Sequence, residues 1–343
     1  MRSGGLEMYT GDPYYSACIL IVTFLLSFFA TLVFTKVLIR KIKFTTKEKK
    51  GSEVVFYSKD MARGSLVPKM GGLAITAGFV FGILIALKLL RLEEAVPLLA
   101  ALNTVLIISF IGLMDDLFKV REIWRVLLPV IAALPLMVIT AGVSDLHLIF
   151  FHIDFGIYYS LILVPIGVVA CSNLMNLLAG FNGLEAGTGA VACLSIFSAS
   201  MILFYLAPTE FSIATPLIMI AMAAACIAFL FFNWYPARIF PENIGTYAIA
   251  AAIASAAIIG NVERIAVIAL TPQIIEFFLK ARSKFRAENF GKLVKNRLHY
   301  DGKIYSLTHL LMKYLQPTEK ALVSYLIIFQ AFFGVLAISS IWW

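Results

Sequence analysis

An all-α, polytopic membrane bundle of about ten helices is the fold class that this sequence predicts. Three observations predict it. Hydrophobic residues make up 61% of the 343 residues against 14% charged, mean hydropathy is +0.92, and apolar runs of spanning length recur along the chain. That balance excludes a soluble globular domain. Ten runs fall near 15–39, 70–90, 95–114, 124–141, 157–175, 187–206, 211–232, 244–260, 262–281 and 320–343. Nothing divides the apolar core, so residues 1–343 read as one transmembrane domain. The first run is too long for a signal peptide and lacks a small-residue cleavage site, so it reads as a retained span.

Charge sets the expected orientation. Residues 36–69 carry ten Lys/Arg, 115–125 three, 233–243 one and 280–320 ten, which is 24 of the 28 in the chain. These segments alternate with loops holding only Arg2, Lys88, Arg91 and Arg264. The positive-inside rule then puts the basic loops in the cytoplasm and both termini outside, in a multi-pass cell-membrane protein. Cytoplasmic loops are expected near 40–69, 115–123, 176–186, 233–243 and 282–319. Most of this basic charge serves topology and anionic lipid.

Cys18, Cys171, Cys193 and Cys226 have no metal-ligand spacing and read as small core hydrophobes. In 282–319, the segment SLTHLLMKYLQP places Leu307, Leu310, Leu311, Tyr314 and Leu315 at helical spacing. Ser306 is a candidate N-cap and Pro317 a stop, which predicts an amphipathic helix on the inner membrane surface. Glu276 and Lys280 have the spacing of an i,i+4 pair.

Polar residues that a bundle does not need gather in the cytoplasmic segments. Asp115-Asp116 ends the third run in IGLMDDLFKV. Adjacent carboxylates at a helix C-terminus repel each other and the negative end of the macrodipole. Either Lys119 and Arg121 compensate them in solvent, or a cation or basic ligand does. The run NLMNLLAGFNGLEAG (Asn173 to Gly187) holds three asparagines and three glycines. Gly180 and Gly183 suggest a helix end and a glycine-rich turn. Such a turn is either a capped polar loop or a site whose carbonyl oxygens ligate Mg²⁺ and whose N–H groups meet phosphate. NWYPARIFPENIGT (Asn233 to Thr246) sets Arg238, Phe240 and Glu242 between and beside Pro236 and Pro241. An aromatic there can stack a base and an arginine can hold a phosphate; the alternative is an interfacial aromatic belt with a snorkelling arginine.

VPKMGG (Val67 to Gly72), GLMDDL (Gly112 to Leu117), NLMNLLAGFNGLEAG and FNWYPARIF (Phe232 to Phe240) stand in an order and at a spacing that resemble the polyprenyl-phosphate N-acetylhexosamine-1-phosphate transferases. LLAGFNGLEAG resembles the dolichyl-phosphate N-acetylglucosamine-phosphotransferase branch of archaea and eukaryotes, and the compact last loop looks archaeal.

The resemblance implies a ten-helix bundle with a cytoplasmic active site. There a sugar-1-phosphate passes from a UDP-sugar to a polyprenyl phosphate with release of UMP, as the first membrane step of lipid-linked oligosaccharide assembly. It implies Mg²⁺, with Mn²⁺ as an alternative. It also implies a UDP-N-acetylhexosamine donor, a polyprenyl or dolichyl phosphate acceptor, membrane lipid and, in a homodimer, a second copy of the chain; no nucleic acid is implied. By the same resemblance Asp115 is the base and Asp116 its partner, and Asn176 ligates Mg²⁺. Gly180, Asn182 and Phe240 hold the uracil. Asp60, Arg63, Arg125, Asn173, Glu185 and Arg238 join the substrate-binding set, as do Lys292, Lys295 and Arg297 of the last loop.

Three positions depart from the pattern. Where the family has Gly-Asp with a metal-binding aspartate, this chain has Glu242-Asn243, so Asn243 ligates through its carbonyl, or Glu242 swings in, or the metal is held more weakly. Arg125 and Arg63 replace lysines, which changes geometry while keeping charge. A histidine-containing basic motif is absent from KLVKNRL (Lys292 to Leu298). Two other classes stay open. One is a catalytically weak or inactive paralogue that binds UDP-sugar or lipid phosphate. The other is a transporter, which would bury ionisable groups near the membrane midplane.

Overall fold

The structure is a computed structural model that describes residues 13–48, 57–59, 66–118, 120–140, 145–147, 152–208 and 210–343. It is a helical, multi-pass membrane architecture. In chain order the helices are α1 (Pro13–Glu48), α2 (Gly72–Leu89), α3 (Leu92–Phe118), α4 (Glu122–Leu127), α5 (Pro129–Ala132), α6 (Leu134–Ile139) and α7 (Val164–Leu177). There follow α8 (Leu184–Leu206), α9 (Ala214–Asn233), α10 (Glu242–Ile259), α11 (Glu263–Ala269), α12 (Thr271–Ala281), α13 (Leu307–Tyr314) and α14 (Glu319–Ser339). Among the described residues eight helices are long and apolar enough to cross a membrane: α1, α2, α3, α7 with its preceding π turn, α8, α9, α10 and α14.

The fourth and ninth expected spans differ from the rest. Residues 122–139 are divided into α4, α5 and α6, and residues 263–281 into α11 and α12. Pro129, Pro135 and Pro272 sit at the first or second position of α5, α6 and α12. A proline removes an amide donor and clashes with the preceding turn, which breaks a helix that composition alone reads as continuous. Gln330 of α14 answers the second break. Its Nε2 donates to the Ala269 carbonyl at 2.5 Å and its Oε1 accepts from Gln273 Nε2 at 2.8 Å. Backbone freed from a helix at membrane depth needs such a partner.

The middle of the bundle is α9 and α10, with 83% of each apolar stretch buried against 28% for α1. Their runs of alanine let neighbouring backbones approach closely, which is how helices associate without a hydrophobic drive in lipid. On α1, Thr23, Ser27, Thr31 and Thr35 repeat every four residues and are fully buried. Thr31 and Ser27 fill the space over Gly78 and Gly82 of α2.

The all-α expectation omitted three short antiparallel ribbons: β1 (Tyr57–Lys59) with β2 (Leu66–Pro68), β3 (Asp145–His147) with β4 (His152–Asp154), and β5 (Lys292–Val294) with β6 (Arg297–His299). Lys295 and Asn296 close the last one at φ 47° and 63°, the left-handed pair of a two-residue hairpin turn.

The predicted amphipathic helix is α13, and Ser306 caps it by accepting from Thr308 N at 3.1 Å. Its apolar residues split between two environments. Leu307, Thr308, His309 and Met312 face the protein, whereas Leu310, Tyr314 and Leu315 are exposed. Periodicity marked an apolar face without saying that protein, rather than lipid, covers half of it. His309 stacks on Tyr300 at 3.7 Å, and burial, reinforced by the Lys280 charge, pushes its imidazole below the ordinary range. The Glu276–Lys280 pair forms at 4.0 Å, and Glu276 Oε2 also accepts from Leu307 N at 2.8 Å. No disulfide forms among the four cysteines: Cys193 and Cys226 are buried, Cys171 is partly buried and Cys18 is exposed.

Candidate active site

The N-terminus of α10 is the point on which the site is built. VPKMGG and the loop before α10 are joined backbone to backbone: Phe240 N donates to Pro68 O at 2.9 Å, Gly71 N to Phe240 O at 2.8 Å and Gly72 N to Pro241 O at 3.0 Å. The approach requires glycine. A Cβ on Gly72 would lie 2.1 Å from Gly245 N, and one on Gly112 would lie 2.9 Å from Ile244 Cα. Thus α2 and α3 both touch the first turn of α10. Glu242, its first residue, has φ 54°, a left-handed conformation that L-residues hold only under constraint.

This junction resolves the aspartate pair. Asp116 accepts from Asn243 N and Ile244 N, each at 3.2 Å, so it caps α10 from another helix and faces the positive end of its macrodipole. Asp115 is 2% exposed. Its Oδ1 accepts from Arg125 Nε at 2.8 Å and from Val120 N at 3.0 Å, and its Oδ2 accepts from Asn243 Nδ2 at 2.7 Å. The compensating cation is therefore Arg125 rather than Arg121, which makes no ion pair among the described residues. Asn243 is the position where this chain departs from the family's aspartate. A second carboxylate there could not donate to Asp115.

The Asn/Gly run is a helix end and a turn, as the glycines suggested. After α7, Gly180 has φ 104° and Gly183 φ 84°, and α8 begins at Leu184. Asn289, from the last loop, holds the turn by donating to Leu177 O at 2.9 Å and Ala179 O at 2.7 Å. Glu185 Oε1 accepts from Gly180 N at 2.7 Å. Asn182 is consumed within the protein: its Nδ2 and backbone N donate to Glu319, and its Oδ1 accepts from Ala237 N at 2.9 Å. Asn173 Nδ2 donates to Val169 O at 2.8 Å, and Asn176 Oδ1 accepts from Thr246 Oγ1 at 3.2 Å.

Two cavities meet at Asn176. One, of about 220 Å³, is bordered by Asn176, Gly180, Glu185, Phe240, Glu242 and Phe290, with Asn243 and Thr246 between them. Phe290 lies over Gly180, where a Cβ would meet its ring at 2.7 Å. Glu242 is near enough for its charge to act on Asp116 and Glu185. The other cavity, of about 670 Å³, is an apolar groove with Val169, Leu174 and Phe277 on its walls and Arg125, Asn173, Asn176 and Tyr247 as its polar groups. A third space of about 160 Å³ shares Ala170, Leu174 and Ile274 with that groove and leads on toward Glu263.

Other predicted site residues lie elsewhere. Arg238 donates to Phe231 O at 2.8 Å and rests over the Phe232 ring, outside both cavities. Lys292, Lys295 and Arg297 are exposed on the β5–β6 ribbon, where Arg297 donates to Gln316 O at 3.2 Å. Asp60 and Arg63 lie outside the described residues. Sequence reasoning passed over Asn289 and Phe290, the middle of the stretch between the basic residues it did note. It also missed Tyr247, Thr246 and Phe285. Lys284 and Phe285 have consecutive left-handed φ of 54° and 59°, and Phe285 borders the apolar groove.

The donor set suits a hard cation. Asn176, Asn243 and Glu242 border one cavity with amide and carboxylate oxygens, and Mg²⁺ takes few protein oxygens and completes its shell with water and substrate phosphate. Among the described residues no three His, Cys, Asp or Glu side chains are grouped so as to hold a metal ion.

Residues 98–261 match the family described as glycosyl transferase family 4. A Saccharolobus solfataricus protein, provisionally named UDP-N-acetylglucosamine–dolichyl-phosphate N-acetylglucosaminephosphotransferase, is 36% identical over 93% of this chain and 96% of its own. The Dictyostelium discoideum protein of that name is 28% identical over 67% of this chain and 65% of its own. A phospho-N-acetylmuramoyl-pentapeptide-transferase of Halalkalibacterium halodurans is 30% identical over 82% of this chain and 89% of its own. With its motifs meeting at one helix end and its length matched by these relatives, the chain belongs to glycosyl transferase family 4, in the polyprenyl-phosphate N-acetylhexosamine-1-phosphate transferase superfamily.

Proposed function

We propose that this protein transfers N-acetylglucosamine-1-phosphate, or a related N-acetylhexosamine-1-phosphate, from a UDP-sugar to a polyprenyl or dolichyl phosphate and releases UMP. In this role it begins lipid-linked oligosaccharide assembly for protein glycosylation. One observation carries the reading: a polar cavity of nucleobase size and an apolar groove meet at Asn176, beside an aspartate that Arg125 and Asn243 hold in place. Two of the relatives named above, those of Saccharolobus solfataricus and Dictyostelium discoideum, carry the transfer of N-acetylglucosamine phosphate to dolichyl phosphate in their names.

The groove suits an isoprenoid chain, and Arg125 suits its phosphate. Arg125 both borders the groove and pairs with Asp115, so a phosphate drawn to the guanidinium arrives next to the carboxylate. Asp115 then orients the phosphate or takes its proton. An oxygen of that phosphate bonds to the β-phosphorus of the donor, and the bond to the α-phosphate oxygen breaks in line, leaving UMP. Phe240 and Phe290 border the space for the base, with Phe240 stacking on its face. Mg²⁺, held by Asn176, Asn243 and Glu242, would neutralise the diphosphate. Positive-inside charge supports a ten-span topology, with the broken fourth and ninth segments counted, both termini outside and the site in the cytoplasm of a cell-membrane protein. Few ionisable groups fall in the middle of the apolar runs, where a transporter would bury them, which favours an enzyme over a transporter.

Purified protein should release UMP from UDP-N-acetylglucosamine only when polyprenyl phosphate and Mg²⁺ are both present. Silence across a panel of UDP-acetamido sugars and lipid phosphates would favour an inactive, ligand-binding paralogue. Phe240→Ala should weaken UDP-sugar binding by roughly 1–3 kcal/mol, the range for base stacking on an aromatic. Calorimetric titration measures this, and unchanged affinity would remove Phe240 from the base site.

A further inference from the structure

One wall of the apolar groove is a short helix that follows a break. Helix α12 (Thr271–Ala281) carries Ile274, Phe277 and Phe278, which border the groove. Gln273, Glu276 and Lys280 stand three and four residues apart, so they share a different face, and all three are buried. The helix therefore turns its polar stripe into the protein and its apolar stripe to the groove, the reverse of a helix on a soluble surface. Hydrogen bonds hold the polar stripe in place. Glu276 Oε2 accepts from Leu307 N, at the start of α13, at 2.8 Å. Gln330 of α14 is fully buried and spans the break itself. Its Nε2 donates at 2.5 Å to the carbonyl of Ala269, the last residue of α11, and its Oε1 accepts at 2.8 Å from Gln273 Nε2, on the first turn of α12. One side chain thus ties both halves of a broken segment to a continuous span. At membrane depth neither half has water to turn to, so these bonds fix the direction and rotation of α12.

We propose that Gln330 is a positioning residue for the lipid acceptor: by holding α12 across the break, it sets the wall along which the isoprenoid chain lies. The inference rests on the acceptor reading of the groove. Gln330 borders neither the groove nor the polar cavity, so it acts only through α12. An apolar side chain of similar volume fills the same space but leaves the Ala269 carbonyl and the Gln273 amide without it. Buried groups so stranded favour arrangements in which α12 swings or rotates toward other partners. Such a movement carries Ile274, Phe277 and Phe278 with it and leaves the polar cavity, to which α12 contributes nothing, unchanged.

Gln330→Met in the purified full chain tests this through a split in the kinetic constants. The KM for polyprenyl phosphate should rise by about 10-fold, because apparent affinity falls with the fraction of molecules whose groove is competent. The kcat and the affinity for UDP should stay near wild type. An unchanged KM, or a kcat that falls together with UDP affinity, overturns the proposal and leaves the acceptor reading standing. Hydrogen exchange on wild-type protein tests the tie even where the variant does not fold. The α12 amides should be protected in the absence of lipid and protected further by polyprenyl phosphate. Exchange of α12 at the rate of an exposed loop in the lipid-free protein overturns the proposal. Wild-type protein that transfers nothing to polyprenyl phosphate, and whose α12 amides do not respond to it, overturns the acceptor reading and the proposal together.

Discussion

Asp115→Asn should lower UMP release by about a thousand-fold, within the range for loss of a positioned acid–base group. The variant keeps the side-chain volume but has one acceptor oxygen where Asp115 uses two. Both are committed, Oδ1 to Arg125 Nε at 2.8 Å and Oδ2 to Asn243 Nδ2 at 2.7 Å. Whichever way the new amide turns, an NH₂ group faces another N–H donor, and Arg125 loses its counter-charge. Position and charge therefore fail together. Binding separates this from global damage: the polar cavity is bordered by Phe240, Phe290 and Glu185 and not by Asp115, so UDP affinity should stay near wild type. Turnover near the wild-type rate would remove Asp115 from the reaction. Loss of UDP binding in parallel would mean that the aspartate serves mainly to build the fold.

Gly72→Ala should be the most damaging small substitution in the bundle. The added methyl would lie 2.1 Å from Gly245 N and 2.6 Å from its Cα. Both are backbone atoms at the start of α10, so no rotamer change can relieve the contact and the helices must separate. Overpacking of this kind costs about 1–3 kcal/mol, occasionally more, and a backbone neighbour belongs at the upper end. The same movement displaces Asn243 and Ile244, whose amides Asp116 holds, so activity should fall with stability. Gly167→Ala is the control, because a Cβ there meets nothing within 4 Å. Thermal unfolding in detergent should show a lower midpoint for Gly72→Ala and no loss for Gly167→Ala. Equal midpoints for the two variants would show that α2 and α10 do not touch as described.

The parts of this site that were legible in the sequence are those that an apolar chain carries only at a cost. Asp115-Asp116 and the Asn173–Gly187 run stand out against 61% hydrophobic residues, and both reach the same helix end. Gly180 and Gly183 announced a turn because side chains rarely adopt their φ. Partners were harder to read. Lys119 lies outside the described residues, and Arg121 is nearer in sequence to the aspartates, yet Arg125, ten residues from Asp115, reaches back from the following helix. Asn289 meets the carbonyls of Leu177 and Ala179 across more than a hundred residues, and only the fold brings it there. Lys292, Lys295 and Arg297 looked like anion contacts because they are basic and lie in the right loop, but the β5–β6 ribbon turns them outward. Hydropathy gave the fourth and ninth spans, while their prolines, visible in the same sequence, marked where the helices stop.

The central claim is that the groove and the polar cavity face one phosphorus atom, so that a phosphate travels with the sugar. Following a label placed on the β-phosphorus of UDP-N-acetylglucosamine tests it most directly. With polyprenyl phosphate and Mg²⁺ present, the label should pass to the lipid in one-to-one proportion with the UMP formed. Label remaining in UDP while sugar alone reaches the lipid would contradict the account, because the bond broken would then be the glycosidic one.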